Sequence, residues 1–232
     1  MYSSRFCSAN DAEFELRAHL GLLDSDTPAR HLKMRIGRVT QHWNKNCVAI
    51  GLSQGFIEPL EATALLFIQQ TAASFAEFLD RGDLSPEAHD RFNRQVNDHF
   101  EGTRDYIVTH YKTNTRQDTD YWRENATNLH LSDALKQLYS LWMTGKSIAP
   151  GVRQQAIGKG YPIFSWYAIM AGMGIFPDLR DLRAPTAAEA RYNMADIDNL
   201  LDRSVANFRD HRAVLASIPP RRNDDSLQIY FW

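Results

Sequence analysis

The sequence predicts a mainly α-helical protein with a few short β-strands, and two features of the chain lead to that prediction. After residue 62, apolar residues recur every three or four positions over several long stretches, which is typical of packed helices. Before that point, apolar residues alternate or cluster only over short runs, which favours short strands. Because a few short strands leave unpaired edges and an uncovered face, we expect them to belong to a larger fold.

The first part of the chain is predicted to hold one helix and two strands. Ser8 is a suitable N-cap for a helix that ends at Gly21. Residues 31–39, HLKMRIGRV, begin with an alternation of apolar and basic side chains that predicts a half-buried strand. Residues 46–52, NCVAIGL, have the β-branched, glycine-bounded character of a short buried strand.

The remaining chain is predicted to be helical. Thr63 to Asp80 is apolar on nearly every side, so that helix should be buried. The Ser-Pro pair at residues 85–86 supplies an N-cap and a first-turn proline for a long amphipathic helix. Ser132 caps a further helix, and the TAAE capping box at residues 186–189 should open another. The polar segment PPRRNDDS near the C-terminus is typical of a loop.

Composition excludes several classes of function. The chain has 232 residues, 44% of them hydrophobic, and a net charge of −2, so it has no basic excess that would indicate a nucleic-acid partner. Its two cysteines form no CxxC pair and its eight histidines form no HExxH pattern, which argues against a metal site. With no signal-peptide pattern and no apolar run long enough to span a membrane, we expect a cytoplasmic protein without a membrane partner.

Residues 51–66, GLSQGFIEPLEATALL, form the bend between the second strand and the apolar helix. Pro59 and Glu61 suit the first turn of a helix, although Thr63 is also a good N-cap for a later start. In either case, free backbone N–H groups near residues 62–65 point out of the helix start and can attract an anion. Two glycines before the bend would let a flat ligand approach, so a phosphate, a flavin edge or a halide would suit this turn.

Two carboxylates, Glu58 and Glu61, lie at the same bend. A carboxylate that is removed from water has a raised pKa and can act as an acid or a base. A Glu-Pro-x-Glu pattern at a helix start is also common as plain capping, so the residues alone leave both interpretations open. We interpret Glu58 as structural.

Residues 46–64, NCVAIGLSQGFIEPLEATA, closely resemble the signature segment of the flavin-dependent tryptophan halogenases. Four further segments are similar to this family: YSSRFCS at 2–8, RHLKMRIGR at 30–38, YIVTHYKTNTRQDTDYWR at 106–123 and SWYAIMAGMGIFP at 165–177. The resemblance covers nearly the whole chain. It implies the C-terminal part of a two-module, FAD-monooxygenase-like halogenase fold, which would be incomplete on its own.

The family's flavin module carries a GxGxxG fingerprint and a WxWxIP motif, and neither pattern occurs in this sequence. The resemblance therefore implies that residues 1–62 are a remnant of the flavin-binding module and that residues 63–232 form a mostly helical substrate module. It also implies a missing N-terminal flavin module as a partner, and we expect the chain to be inactive alone.

The activity that the resemblance implies is halogenation of an electron-rich aromatic ring, with indole as the expected ring and tryptophan as one candidate substrate. Reduced FAD from a separate flavin reductase, O2 and chloride or bromide would be consumed. Two alternatives stay open. The chain could be a non-catalytic helical remnant or partner subunit, or it could belong to a flavin-monooxygenase-like enzyme that does not halogenate.

The resemblance also assigns roles to residues of the bend. Glu61 aligns with the family's catalytic glutamate, and Thr63 and Ala64 align with the pair whose backbone N–H groups hold the halide. Leu52 and Leu65 align with backbone contacts to the flavin. The family often has glycine where Ala64 stands, so alanine would cost about 1 kcal/mol if that position required a positive φ.

Overall fold

The computed structural model describes residues 2–178, 180 and 184–219, and the chain divides into two compact units, Met1–Leu182 and Arg183–Trp232. The loop predicted near the C-terminus lies outside the described residues from position 220 onward. The module boundary predicted after residue 62 concerns a larger fold and stays a prediction.

The described chain is mostly helical with a few two-residue strands, as the sequence predicts. The strands are β1 (Gly37–Arg38), β2 (Trp43–Asn44), β3 (Cys47–Val48) and β4 (Gly55–Phe56). The helices of the first unit are α1 (Ala9–Leu20), α2 (Thr63–Asp80), α3 (Pro86–Lys112), α4 (Asp120–Thr127), α5 (Asp133–Met143), α6 (Ala149–Arg153) and α7 (Ile163–Gly172). Short 3₁₀ segments occur at Gly51–Ser53 and Leu60–Ala62.

The two predicted strands are much shorter than expected. In the predicted strand over residues 31–39, only Gly37–Arg38 pairs, antiparallel to β4, and Ile36 is 73% exposed. In the predicted buried strand over residues 46–52, only Cys47–Val48 pairs, with β2, and Cys47 is exposed. The predictions of a half-buried and of a buried strand are therefore wrong, because partner strands of two residues cannot extend the pairing.

Both long predicted helices begin where the sequence places them. α2 spans Thr63–Asp80, and Ser85 caps α3 by accepting a hydrogen bond at Oγ from the N–H of Ala88. The expected burial of α2 is wrong, however. Its buried residues are Thr63, Phe67 and Thr71, on the face that packs against α3, whereas all three leucines of the helix are exposed.

The core consists of two apolar clusters that share α3. One cluster lies around the first half of α3 and contains Trp43, Phe67, Ala88, Phe92, Val96 and Phe100. The other lies around its last turns and contains Tyr106, Leu135, Leu138, Ile148, Val152, Ile157, Trp166, Ile169 and Met170. α3 contributes to both clusters, and it also contacts the segment before α2, where Tyr111 bonds Glu58.

The second unit contains α8 (Met194–Val205) and α9 (His211–Ser217). The capping box predicted at residues 186–189 is present, since the N–H of Glu189 donates to Thr186 Oγ1 and the N–H of Thr186 donates to Glu189 Oε2. It opens only a 3₁₀ turn at Glu189–Arg191, and Asn193 then caps α8. The predicted start of this helix is wrong because extended backbone at Asn193 interrupts it.

Within the described residues, no helix combines the length and the apolar character that a membrane span requires. The same part of the chain brings together no group of three or more histidine, cysteine, aspartate or glutamate side chains suited to a metal ion.

Candidate functional site

The bend before α2 is built from two 3₁₀ turns around β4, and it ends at Thr63, the later of the two helix starts that the sequence allowed. Gly55 is required within it. Its φ is +156°, and a Cβ at this position would lie 2.5 Å from the carbonyl oxygen of Gly37 on the paired strand. Glycine therefore lets β1 and β4 approach each other closely.

Backbone strain in the bend lies at Ala62. This residue has φ 55° and ψ 23°, the left-handed conformation that a Cβ disfavours, and it is the N-cap residue of α2. Ala64 lies inside the helix, so alanine at that position carries no strain of this kind. Position 64 does not require a positive φ, so the cost of about 1 kcal/mol that such a φ would impose on alanine does not arise.

Thr63 is buried and makes its contacts toward the preceding turn. Its backbone N–H and its hydroxyl both donate to the carbonyl oxygen of Leu60, the hydroxyl at 2.6 Å. The hydroxyl also lies 3.5 Å from the hydroxyl of Tyr161. Of the two N–H groups that the resemblance assigns to a halide, the one at Thr63 is thus already engaged within the protein.

A small apolar recess lies beside the start of α2. Its volume is about 90 Å³, and it is lined by Gly51, Leu52, Gln54, Gly55, Phe56, Ile57, Ala64, Phe67, Ile68 and Phe100. The rings of two lining residues, Phe67 and Phe100, stack with centroids 4.5 Å apart. The recess brings together the predicted flavin contact Leu52 and the predicted halide contact Ala64. It does not include Leu65, which is exposed on α2.

Glu61 and Glu58 occupy different parts of the bend. The backbone of Glu61 belongs to the 3₁₀ turn that leads into α2. The carboxylate of Glu58 accepts a hydrogen bond from the hydroxyl of Tyr111, near the end of α3. Burial, and next this hydrogen bond, raise the pKa of Tyr111 well above its usual range. Tyr111 and Tyr161 are contacts of the bend that the sequence analysis missed, because they come from residues 50 to 100 positions away.

A larger cleft of about 400 Å³ lies elsewhere, lined by Arg104, Asp105, Val108, His130, Leu131 and Ser132. Its buried carboxylate, Asp105, accepts hydrogen bonds from Ser132 Oγ at 2.6 Å and from Arg104 Nη2 at 3.2 Å. Because this carboxylate is satisfied by protein partners and none of the predicted site residues lines the cleft, the recess beside α2 is the candidate site.

A strand-to-helix bend with a helix N-terminus beside an apolar recess is an arrangement that suits an anion. Comparison with known proteins supplies the particular class, because residues 1–189 match the family model described as tryptophan halogenase. The chain belongs to the tryptophan halogenase family.

Similar proteins include the tryptophan 6-halogenase SttH of Streptomyces toxytricini, which is 36% identical over 83% of this chain and 37% of its own length. Among solved structures, the flavin-dependent halogenase BrvH of Brevundimonas sp. BAL3 is 32% identical with a TM-score of 0.74, over 94% of this chain and 44% of that one. A tryptophan halogenase from Shewanella frigidimarina is 27% identical with a TM-score of 0.76, over 93% and 41%. The chain thus spans less than half the length of the relatives that it matches.

Proposed function

We propose that this chain supplies the halide-binding turn and the catalytic glutamate of a flavin-dependent halogenase that acts on an electron-rich aromatic ring. The observation that carries the proposal is the placement of residues 46–64, the segment of strongest family resemblance. This segment runs into the N-terminus of α2 directly beside the apolar recess.

The start of α2 supports a halide as the anion. The helix has 18 residues, so its aligned peptide dipoles leave a partial positive charge at the first turn. Its N-cap, Ala62, has no side chain that could accept the first N–H groups, in contrast to Ser85 at the start of α3. We assign the halide chiefly to the N–H of Ala64, with the N–H of Thr63 shared between the halide and the carbonyl of Leu60.

The surroundings of the recess suit a flat cofactor, which by family would be FAD. Leu52 is 83% exposed and Leu65 is 65% exposed, so the described chain leaves both residues uncovered. When bound in its reduced form, with electrons supplied by a flavin reductase, FAD and O2 provide the oxidation that turns chloride or bromide into an electrophilic halogen. In this proposal, the chain holds the halide next to the edge of the cofactor, and the side chains of Phe67 and Phe100 exclude water from the recess.

Glu61 is the proposed catalytic residue. Its backbone lies immediately before the first turn of α2, the turn to which we assign the halide. In this role its carboxyl group holds the oxidised halogen by a hydrogen bond and accepts the proton that the aromatic ring loses on halogenation. Several relatives are named as tryptophan halogenases, which makes an indole ring the first substrate to test.

We further propose that the chain is the C-terminal part of the halogenase fold and acts together with a flavin-binding module. Apolar side chains that a packed domain would cover are exposed along the N-terminal part of this chain, namely Phe14, Leu16, Leu20, Leu32, Met34 and Ile36. An exposed apolar surface of this extent is typical of an interface. In this arrangement residues 1–62 complete the flavin module, residues 63–232 form the helical module, and the chain alone does not halogenate.

The test is to combine the purified chain with the part of the Brevundimonas halogenase that it does not match. Bromination of indole would be followed by mass spectrometry, with FAD, a flavin reductase and bromide present. We expect product with the combination and none with either part alone. Glu61→Gln should reduce product formation at least 100-fold while leaving oxidation of reduced flavin unchanged.

Glu77→Gln is the matched control, because Glu77 is a glutamate with an exposed side chain near the other end of α2. It should retain full activity. Equal halogenation by the Glu61→Gln and Glu77→Gln proteins would remove Glu61 from its proposed role. Flavin oxidation without any halogenated product in the unmodified combination would favour the non-halogenating alternative.

A further inference from the structure

The bend before α2 is linked to α3 at two points, directly at Glu58 and through Tyr161 at Thr63. In the middle of the bend, the hydroxyl of Tyr111 donates a hydrogen bond to Oε1 of Glu58. At its end, Thr63 Oγ1 lies 3.5 Å from the hydroxyl of Tyr161, whose ring stacks on that of Tyr106 with centroids 3.8 Å apart. Since Tyr106 and Tyr111 both belong to α3, a single helix lies behind both links to the bend.

The ring of Tyr111 is itself held in place by α4. Tyr121 meets it edge-on with centroids 5.9 Å apart, and Trp122 stacks on it at 5.8 Å. The side-chain amide of Asn114 donates to the carbonyl oxygens of Tyr111 and Trp122 at 2.5 and 3.2 Å, which ties the end of α3 to α4. The ring that carries the hydroxyl is therefore packed against α4 as well as bonded to Glu58.

The chemistry of this pair suits a permanent restraint. The pKa of Tyr111 is raised by burial and by Glu58, so the phenol keeps its proton and remains a donor throughout the neutral range. A hydrogen bond from a neutral donor to a carboxylate is stronger than one between two neutral groups.

We infer that Glu58 and Tyr111 are positioning residues, whose hydrogen bond holds the bend against α3 and so sets the direction of the N–H groups at the start of α2. The inference rests on the proposed function, because it names what holds the proposed halide site in place. The left-handed backbone of Ala62 needs such a restraint, since a strained residue persists only where its surroundings enforce the conformation.

The test uses the full 232-residue chain and hydrogen–deuterium exchange read by mass spectrometry. Tyr111→Phe removes the hydroxyl, and with it the hydrogen bonds to Glu58 and Tyr121, but keeps the ring contacts with α4. We expect the peptide spanning residues 58–66 to exchange about tenfold faster, which corresponds to about 1.4 kcal/mol. Glu58→Gln keeps an acceptor oxygen and should retain most of the protection, whereas Glu58→Leu should behave like Tyr111→Phe.

Tyr167→Phe is the matched control. It removes a phenol hydroxyl from α7, where the ring packs near Trp142, and should leave the peptide 58–66 unchanged. Peptides from α5 and α7 report global stability in the same experiment. Exchange in Tyr111→Phe within twofold of the unmodified chain, or a loss of protection that is equal in peptides 58–66, α5 and α7, would overturn the inference.

A chloride titration followed by ³⁵Cl NMR line width separates this inference from the proposed function. Broadening by the unmodified chain that falls several-fold in Tyr111→Phe and returns in Glu58→Gln would support both. Broadening that is equal in the unmodified and Tyr111→Phe chains would overturn the positioning role. If the unmodified chain binds no chloride and the exchange result holds, the restraint on the bend is supported and the proposed halide site on this chain fails.

Discussion

Ala62 and Ala64 lie two positions apart at the start of α2, and their backbones predict opposite responses to glycine. Ala62 is left-handed, with φ 55°, whereas Ala64 is helical. A Cβ in the left-handed region costs about 1–2 kcal/mol, which Ala62→Gly would recover. Glycine also adds about 0.4–1 kcal/mol of chain entropy to the unfolded state, so the net gain should be about 0.5–1 kcal/mol.

At position 64 glycine relieves no backbone strain, so only its unfavourable effect on the free energy of unfolding remains. Glycine inside a helix costs about 0.5–1 kcal/mol relative to alanine, so Ala64→Gly should lower stability although glycine is frequent there in the family that the sequence resembles. For a chain of this size, 1 kcal/mol corresponds to about 2–4 °C in Tm. We therefore expect Tm to rise by about 2 °C in Ala62→Gly and to fall by about 2 °C in Ala64→Gly.

The assay is thermal unfolding followed by circular dichroism at 222 nm, with urea unfolding as a second measure of the free energy. The two variants serve as controls for each other, because the same atoms are deleted on the same turn. A fall in stability of similar size in both variants would refute the reasoning, since it would mean that position 62 does not adopt the left-handed conformation.

Two further predictions concern the core. Gly102→Ala should lower the free energy of unfolding by about 3 kcal/mol in a urea titration, because the new Cβ would lie 1.9 Å from the carbonyl oxygen of Lys159. Gly172→Ala, where nothing lies within 4 Å, is the control and should be neutral or stabilising by about 0.5 kcal/mol. Burial lowers the pKa of His42 below 6.5. As the pH falls, the unfolded chain therefore takes up a proton at this histidine before the folded chain does. The contribution of His42 to the free energy of unfolding should be fully present above pH 6.5 and be lost as the pH is lowered further. His42→Gln should flatten part of that fall in urea midpoints measured from pH 8 to pH 5, the remainder coming from His99, whose pKa is also lowered by burial.

Equal stability of the Gly102→Ala and Gly172→Ala chains would contradict the close packing of α3 on the segment around Lys159. For the histidine, an unchanged pH dependence in His42→Gln would show that its proton equilibrium is the same in the folded and unfolded chains.

Local patterns predicted the helices well and the strands poorly, for a physical reason. The starts of α2 and α3 depend on groups within a few residues, such as the hydroxyl of Ser85 that accepts the N–H of Ala88. A strand needs a partner of matching length, and alternation in one segment says nothing about that partner. Residues 31–36 therefore alternate like a strand and stay unpaired, with their apolar side chains exposed.

The sequence by itself determined the helical class, the starts of the main helices and, through the segment at residues 46–64, the family to which the chain belongs. Only the tertiary structure decided that the left-handed residue is Ala62, that the N–H of Thr63 is engaged by Leu60, and that Tyr111 holds Glu58. Tyr111 and Glu58 are 53 positions apart in sequence, and no local pattern encodes which distant side chains meet when α3 folds against the bend.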